Sequence, residues 1–404
     1  MIRQVVILAG TDAVGALDPF LGLPLIKRVI LTMNRCGVTR AFVATEADSQ
    51  VALALAADAD FARQGVDLSI ATLDDIRATA AGPVLVARAD EVYSDALIRL
   101  AATQDLAGAD AIRCGGLVAA TSFSFAPEGA VPEGEVAGAA AFWHRPDSPR
   151  AARRAENELL ESLIKPTDGP VARNILRRLS LPLTRHLCKT QIKPNHMTVF
   201  ASSLGILGAV FIAQATWQAL AIGGVLIFLQ SVFDHNDGEL ARLKFQGSEA
   251  GAWLDHISDD VLSTTYALVF GWAAAGLTGQ PIWWSIGIAS AIGISIFHAV
   301  HYAQLAFVNR SGDPFRFRWW FQKDDLYLKT EMRQAGLFGR VVETFHATGR
   351  RDVYVFAFMV FSLARMPQGA VLWYFVVAMT HAVLSLVHVA AGGMTRRRPG
   401  EQKP

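Results

Sequence analysis

The sequence predicts a cytosolic α/β domain over residues 1–150 followed by an all-α domain of six transmembrane helices over residues 195–395. Strand-like and helix-like segments alternate before Pro194, the pattern of an α/β layer. From Met197 onward, long apolar runs follow one another at membrane-spanning length. Within those runs four aspartates, Asp234, Asp237, Asp255 and Asp259, crowd one short stretch. The 404 residues leave room for two or three domains, and 52% hydrophobic against 18% charged content fits a chain partly in lipid. A net charge of +1 gives no global field that would favour nucleic acid, and none is expected as a partner.

In the first part, Gln4–Ala9, Ala41–Thr45, Ser69–Thr72 and Val84–Arg88 read as strands. Leu25–Cys36, Gln50–Arg63 and Asp95–Thr103 read as helices between and after them. The first apolar run is too short for the core of a signal peptide and is expected to be a buried strand. Cys36, Cys114 and Cys188 are odd in number and widely spaced, which suggests neither a disulfide framework nor a metal site and fits a reducing compartment. A Gly-, Ala- and Pro-rich stretch around residues 120–150 marks the domain edge.

Residues 151–194 form a linker with a helix at Ala151–Leu163 and a basic segment, Val171–Thr190. Arg173, Arg177, Arg178, Arg185 and Lys189 alternate there with leucines, as in an amphipathic helix on a membrane surface. Spans are expected at 197–215, 217–233, 252–275, 282–308, 352–365 and 368–391, the fifth being short. Basic residues gather on one side of these spans, including the 309–351 loop and the 396–404 tail. That asymmetry places both termini and the aspartates in the cytoplasm, in an inner, cytoplasmic membrane. Arg316–Lys323, where arginines mix with aromatics, reads as an interfacial anchor. His298, His301, His381 and His388 are expected to bridge helices or line a cavity.

Asp234 and Asp237 are i and i+3, and Asp255 and Asp259 are i and i+4, so each pair shares one helix face. Carboxylates near a bilayer interior cost several kcal/mol unless paired or metal-bound. An all-oxygen cluster suits hard cations such as Mg²⁺ or Mn²⁺. Gly238, Ala241 and Gly251 leave the backbone approachable, and Arg242 offers a planar fork to a phosphate. Together they suggest phosphoryl chemistry. A solvated acidic turn would not require this spacing. An ion-coupled transporter using the cluster as a cation site would call for internal repeats, and none is evident. A scaffold presenting the first domain at the membrane is a third reading.

The run Asp234-x-x-Asp237-Gly238-x-x-Ala241-Arg242, eight residues, Gly251-x-x-x-Asp255-x-x-x-Asp259 resembles the full signature of the CDP-alcohol phosphotransferase family. The resemblance implies a CDP-alcohol donor, an alcohol or phosphoalcohol acceptor and release of CMP, in phospholipid or inositol-phosphate synthesis. It implies that Asp234, Asp237, Asp255 and Asp259 hold two divalent cations, with Asp259 also the general base. Gly238, Ala241, Arg242 and Gly251 would contact the nucleotide, and the protein would be a homodimer amid membrane lipid.

The first domain resembles sugar-phosphate nucleotidyltransferases through Val6-Ile7-Leu8-Ala9-Gly10, Gly22-Leu23-Pro24-Leu25-Ile26 and Gly37-Val38. The basic residues of that family's phosphate loop are missing: no Lys or Arg lies between Gly10 and Lys27. Asp90, at the position of a metal-binding acid, lacks its cationic partners, so the domain is expected to be catalytically silent. The order of the parts resembles phosphotransferases fused behind a cytidylyltransferase-like domain, as in di-inositol-phosphate synthases.

Overall fold

The structure is a computed structural model that describes residues 1–9, 15–106, 109–123, 141–165, 167–309, 317, 319 and 349–394. Arg316, Arg318 and the 396–404 tail lie outside the described residues. The chain forms two compact units, Met1–Lys165 with Cys188–Thr190, and Pro166–Leu187 with Gln191–Pro404.

In the first unit the strands are β1 (Gln4–Leu8), β2 (Pro19–Phe20), β3 (Leu23–Pro24), β4 (Arg40–Ala44), β5 (Asp67–Ala71), β6 (Val84–Arg88), β7 (Val92–Tyr93), β8 (Ala111–Cys114), β9 (Leu117–Ala120) and β10 (Trp143–His144). The helices are α1 (Leu25–Arg35), α2 (Gln50–Ala56), α3 (Asp60–Arg63), α4 (Leu73–Thr79), α5 (Asp95–Ala102) and α6 (Pro149–Glu161). The main sheet has the order β5-β4-β1-β6-β9-β8. Its first four strands are parallel, and β9 runs antiparallel to both β6 and β8. Val5, Val6 and Ile7 of β1 are fully buried, as an interior parallel strand covered on both faces requires.

Two features depart from the expected pattern. The helix expected over Gln50–Arg63 breaks into α2 and α3. Asp58 Oδ1 accepts from Asp60 N–H at the break, and Lys27 Nζ holds both Asp58 and Asp60 at 2.6 Å. The hairpin β8–β9 was not expected; Gly115-Gly116 turns it, with Gly115 at φ +60°.

The second unit begins with a π turn (Ala172–Leu176) and α7 (Arg177–Leu187). It continues with α8 (Pro194–Ala213), α9 (Trp217–Lys244), α10 (Glu249–Thr278), α11 (Ile282–Ala303), α12 (Arg351–Leu363) and α13 (Pro367–Ala390). Among the described residues, α8, α9, α10, α11 with its extension to Val308, and α13 have the length and apolar composition to cross a membrane. The remaining expected span is α12, whose 13 residues reach about 20 Å against a hydrocarbon core of about 30 Å. The protein is a multi-pass membrane protein.

Side chains facing outward are apolar: Val199, Ile206 and Ile292 are 57–58% exposed, as a lipid-facing belt demands. Inside, small residues let helix backbones touch. A Cβ added to Gly208 would stand 3.0 Å from Gly223 O, and one added to Gly271 would stand 2.7 Å from Gly287 Cα. Gly271→Ala is therefore expected to push α10 from α11 and to destabilise the fold by about 1–3 kcal/mol, read as a lower unfolding midpoint in detergent.

Candidate active site

Helices α9 and α10 are joined by a four-residue reversal, Phe245–Ser248. Phe245 adopts the left-handed conformation (φ 54°), and the Ser248 hydroxyl accepts from Gly251 N–H at 3.0 Å, capping α10. The acidic faces at the C-terminal end of α9 and the N-terminal end of α10 thereby converge. Carboxylate oxygens of Asp234, Asp237 and Asp255 all lie within 4.8 Å of one another. Thr198 of α8 donates its hydroxyl to Asp237 Oδ2 at 2.5 Å. Asp255 Oδ1 is buried with no hydrogen-bond partner among the described residues.

Three acids this close repel one another, and one holds an unused buried oxygen. A hard divalent cation satisfies both conditions, so the donor set fits Mg²⁺ or Mn²⁺. Asp259 lies outside this trio: its Oδ2 pairs with Arg351 Nη1, which also holds Asp234 Oδ2 at 2.9 Å.

The other expected contact residues separate into two groups. At Gly238 the heavy atom of a described residue that an added Cβ would meet, beyond the helix's own backbone, is Arg242 Nη1 at 3.3 Å, so Arg242 folds back over a glycine otherwise open among the described residues. Ala241 is half-buried beside it. At Gly251 the end of the exposed Asn195 side chain comes close: an added Cβ would stand 2.8 Å from Asn195 Oδ1.

Behind the trio is a buried polar network that holds α7 against α9. Glu239, fully buried, accepts from Arg177 Nη1 at 2.5 Å, from Ser180 Oγ at 2.7 Å and from Thr184 Oγ1 at 2.5 Å. Arg177 Nε also donates to Asp168 at 2.8 Å. Burial opposes the Arg177 charge, but the Asp168 and Glu239 carboxylates outweigh it and raise its pKa above the ordinary arginine value. Arg177, expected as part of a lipid-surface face, is thus an interior residue.

Residues 191–318 match the family model described as CDP-alcohol phosphatidyltransferase. Residues 191–318 form a CDP-alcohol phosphatidyltransferase domain. The chain is 32% identical over 152 residues to a "Bifunctional IPC transferase and DIPP synthase" of Thermococcus kodakarensis, covering 37% of this chain and 33% of that protein. A protein of the same description from Aquifex aeolicus is 33% identical over 140 residues, 34% of this chain and 31% of its own length. A "Phosphatidylinositol phosphate synthase" of Mycobacteroides abscessus is 28% identical over 109 residues, 27% of this chain and 49% of its own. The chain thus spans about a third of the length of the first two relatives.

The CDP-alcohol phosphatidyltransferase domain contains all four aspartates, but Arg351 lies beyond the matched residues. Sequence reasoning missed Arg351, Thr198 and Glu239. Two of them left a signal: Thr198 closes the Pro194-Asn195-x-x-Thr198 entry to the first apolar run, and Glu239 is an acid inside an apolar helix next to the glycine of the motif. Asp260, which the motif does not use, accepts from Tyr302 Oη at 2.6 Å and lies 3.2 Å from His298 Nε2. His298 therefore bridges α11 to α10, and the His301 ring packs on His256 at 4.9 Å.

In the first unit a cleft of about 390 Å³ is lined by Asp18, Asp90, Asp147 and Arg145, among others. Asp90 is tied up there, with Arg88 Nε at 3.0 Å and Arg145 Nη2 at 2.7 Å. Burial works against its charge, but the two arginines outweigh it and hold Asp90 below the usual carboxylate range.

Proposed function

We propose that this protein transfers a phosphoalcohol from a CDP-alcohol to a hydroxyl acceptor and releases CMP, in phospholipid or inositol-phosphate synthesis. The observation that carries the reading is the convergence of Asp234, Asp237 and Asp255 at the junction of α9 and α10, with Asp259 one turn beyond Asp255. Asp234, Asp237 and Asp255 would hold Mg²⁺ or Mn²⁺, one or two ions. When bound, the metal supplies positive charge against the diphosphate. Arg242 and the open backbone at Gly238 receive the nucleotide end.

Asp259 accepts the proton of the acceptor hydroxyl as that oxygen bonds to the phosphorus distal to cytidine. The bond from that phosphorus to the CMP oxygen breaks, and CMP leaves with the electron pair. The positive-inside pattern supports a cytoplasmic site, where a soluble nucleotide is available, and the resemblance supports a homodimer. Incubating the purified chain with a panel of CDP-alcohols and acceptors, with products identified by mass, tests the reading. No CMP release from any pair, with Mg²⁺ or Mn²⁺ supplied, would sink it.

The first unit serves a structural or regulatory role in this reading. Among the described residues its cleft presents three acids and one arginine already held by Asp90, an arrangement that repels a triphosphate. Asp90→Asn is expected to leave CMP release within about twofold of the parent, close to the noise of a substitution remote from the chemistry. A large loss in the same assay would assign that cleft a part in the reaction.

A further inference from the structure

Arg351 stands where two roles divide. Its Nη1 contacts both Asp234, a member of the cation trio, and Asp259. Its Nε and Nη2 are buried with no hydrogen-bond partner among the described residues, so its polar contacts run to those two acids. The residues on either side fix it in place. Arg350 Nη2 donates to Thr167 O at 2.9 Å, and Asp352 Oδ2 accepts from Ala172 N–H at 2.8 Å. Gly169 completes the clamp, since an added Cβ there would stand 2.6 Å from Arg350 Nε.

We propose that Arg351 is a positioning residue with two opposed effects: it competes with the divalent cation for Asp234 and reserves Asp259 for the acceptor hydroxyl. The inference rests on the cation reading above. A guanidinium on Asp234 places a like charge beside the metal position and occupies one oxygen that would otherwise face it. The same guanidinium draws Asp259 out of the trio, leaving that carboxylate to the acceptor rather than to the metal. Removing the charge therefore makes the chain a better cation binder and a poorer transferase. A role in folding alone would lower both together.

The test uses the full chain in detergent, with Mn²⁺ binding followed by calorimetry and CMP release measured on the same preparations. Arg351→Gln is expected to bind Mn²⁺ about tenfold more tightly while kcat falls about a hundredfold. Arg351→Lys keeps a charge but not the planar fork, so Mn²⁺ affinity stays within about threefold of the parent while kcat still falls about tenfold. Mn²⁺ binding by Arg351→Gln no tighter than the parent's overturns the proposal. If that variant does not fold, parental kcat in Arg351→Lys overturns it instead. Should the parent bind no Mn²⁺, or Asp237→Asn bind it equally well, the cation reading falls and this inference with it. Parental binding that is lost in Asp237→Asn and unchanged in Arg351→Gln removes only the role of Arg351.

Discussion

Asp237→Asn is expected to reduce metal-dependent CMP release by on the order of 10³-fold, since a bound metal contributes several kcal/mol of charge stabilisation. The substitution suits the site because it changes charge and little else. An asparagine has the same size and can still accept the Thr198 hydroxyl that Asp237 holds at 2.5 Å. Asp234 and Asp255 remain, but two carboxylates bind a hard divalent cation far less tightly than three. Stability should move the other way. Without metal, the trio is a set of like charges within 4.8 Å, and neutralising one member relieves repulsion. The variant should therefore unfold at or above the parent's temperature in chelator and gain little from added Mg²⁺, whereas the parent gains. Two unfolding scans and a CMP assay read all three outcomes; turnover at the parental rate would refute the metal assignment.

The parts of this structure that were legible in the sequence are those set by local pattern. Apolar runs of membrane length gave α8–α11 and α13, and the i, i+3 and i, i+4 acid spacings gave the faces that meet. Buried strands β1, β4 and β6 were evident for the same reason, as short apolar runs between turn residues. The contacts that complete the site were not legible, because each joins residues far apart in the chain. Arg351 is 117 residues from Asp234, and Arg177 is 62 from Glu239. Nothing local distinguishes such an arginine from one at a lipid surface, so a basic helix and a basic loop look alike in the sequence whether they face lipid or the interior. Gly251 shows the same limit from the other side. Its place in the motif suggests room for a ligand, and nothing in the local sequence shows that the Asn195 side chain, 56 residues earlier, also reaches it. The hairpin β8–β9 did leave a local mark in Gly115-Gly116, but its four-residue strands are too short to show a period.

Replacing Asp259 with Asn should lower kcat by about 10²–10⁴-fold, the usual contribution of a positioned base, with little change in CDP affinity. The structure separates this residue from its neighbours on α10. Asp255 lies in the trio, Asp260 is engaged by Tyr302 and His298, and Asp259 meets only Arg351 among the ion pairs described. Removing its charge therefore leaves the three proposed metal-holding acids intact, and Mg²⁺ and the nucleotide should bind much as before. The freed Arg351 would rest more fully on Asp234, so a modest weakening of cation binding is expected alongside the large loss in turnover. That asymmetry separates a base from a ligand: a base loses the chemical step, while a ligand loses the step and the metal in equal measure. Comparing the fall in kcat with the change in Mn²⁺ affinity for Asp259→Asn decides between them, and losses of the same size would return Asp259 to the cation site.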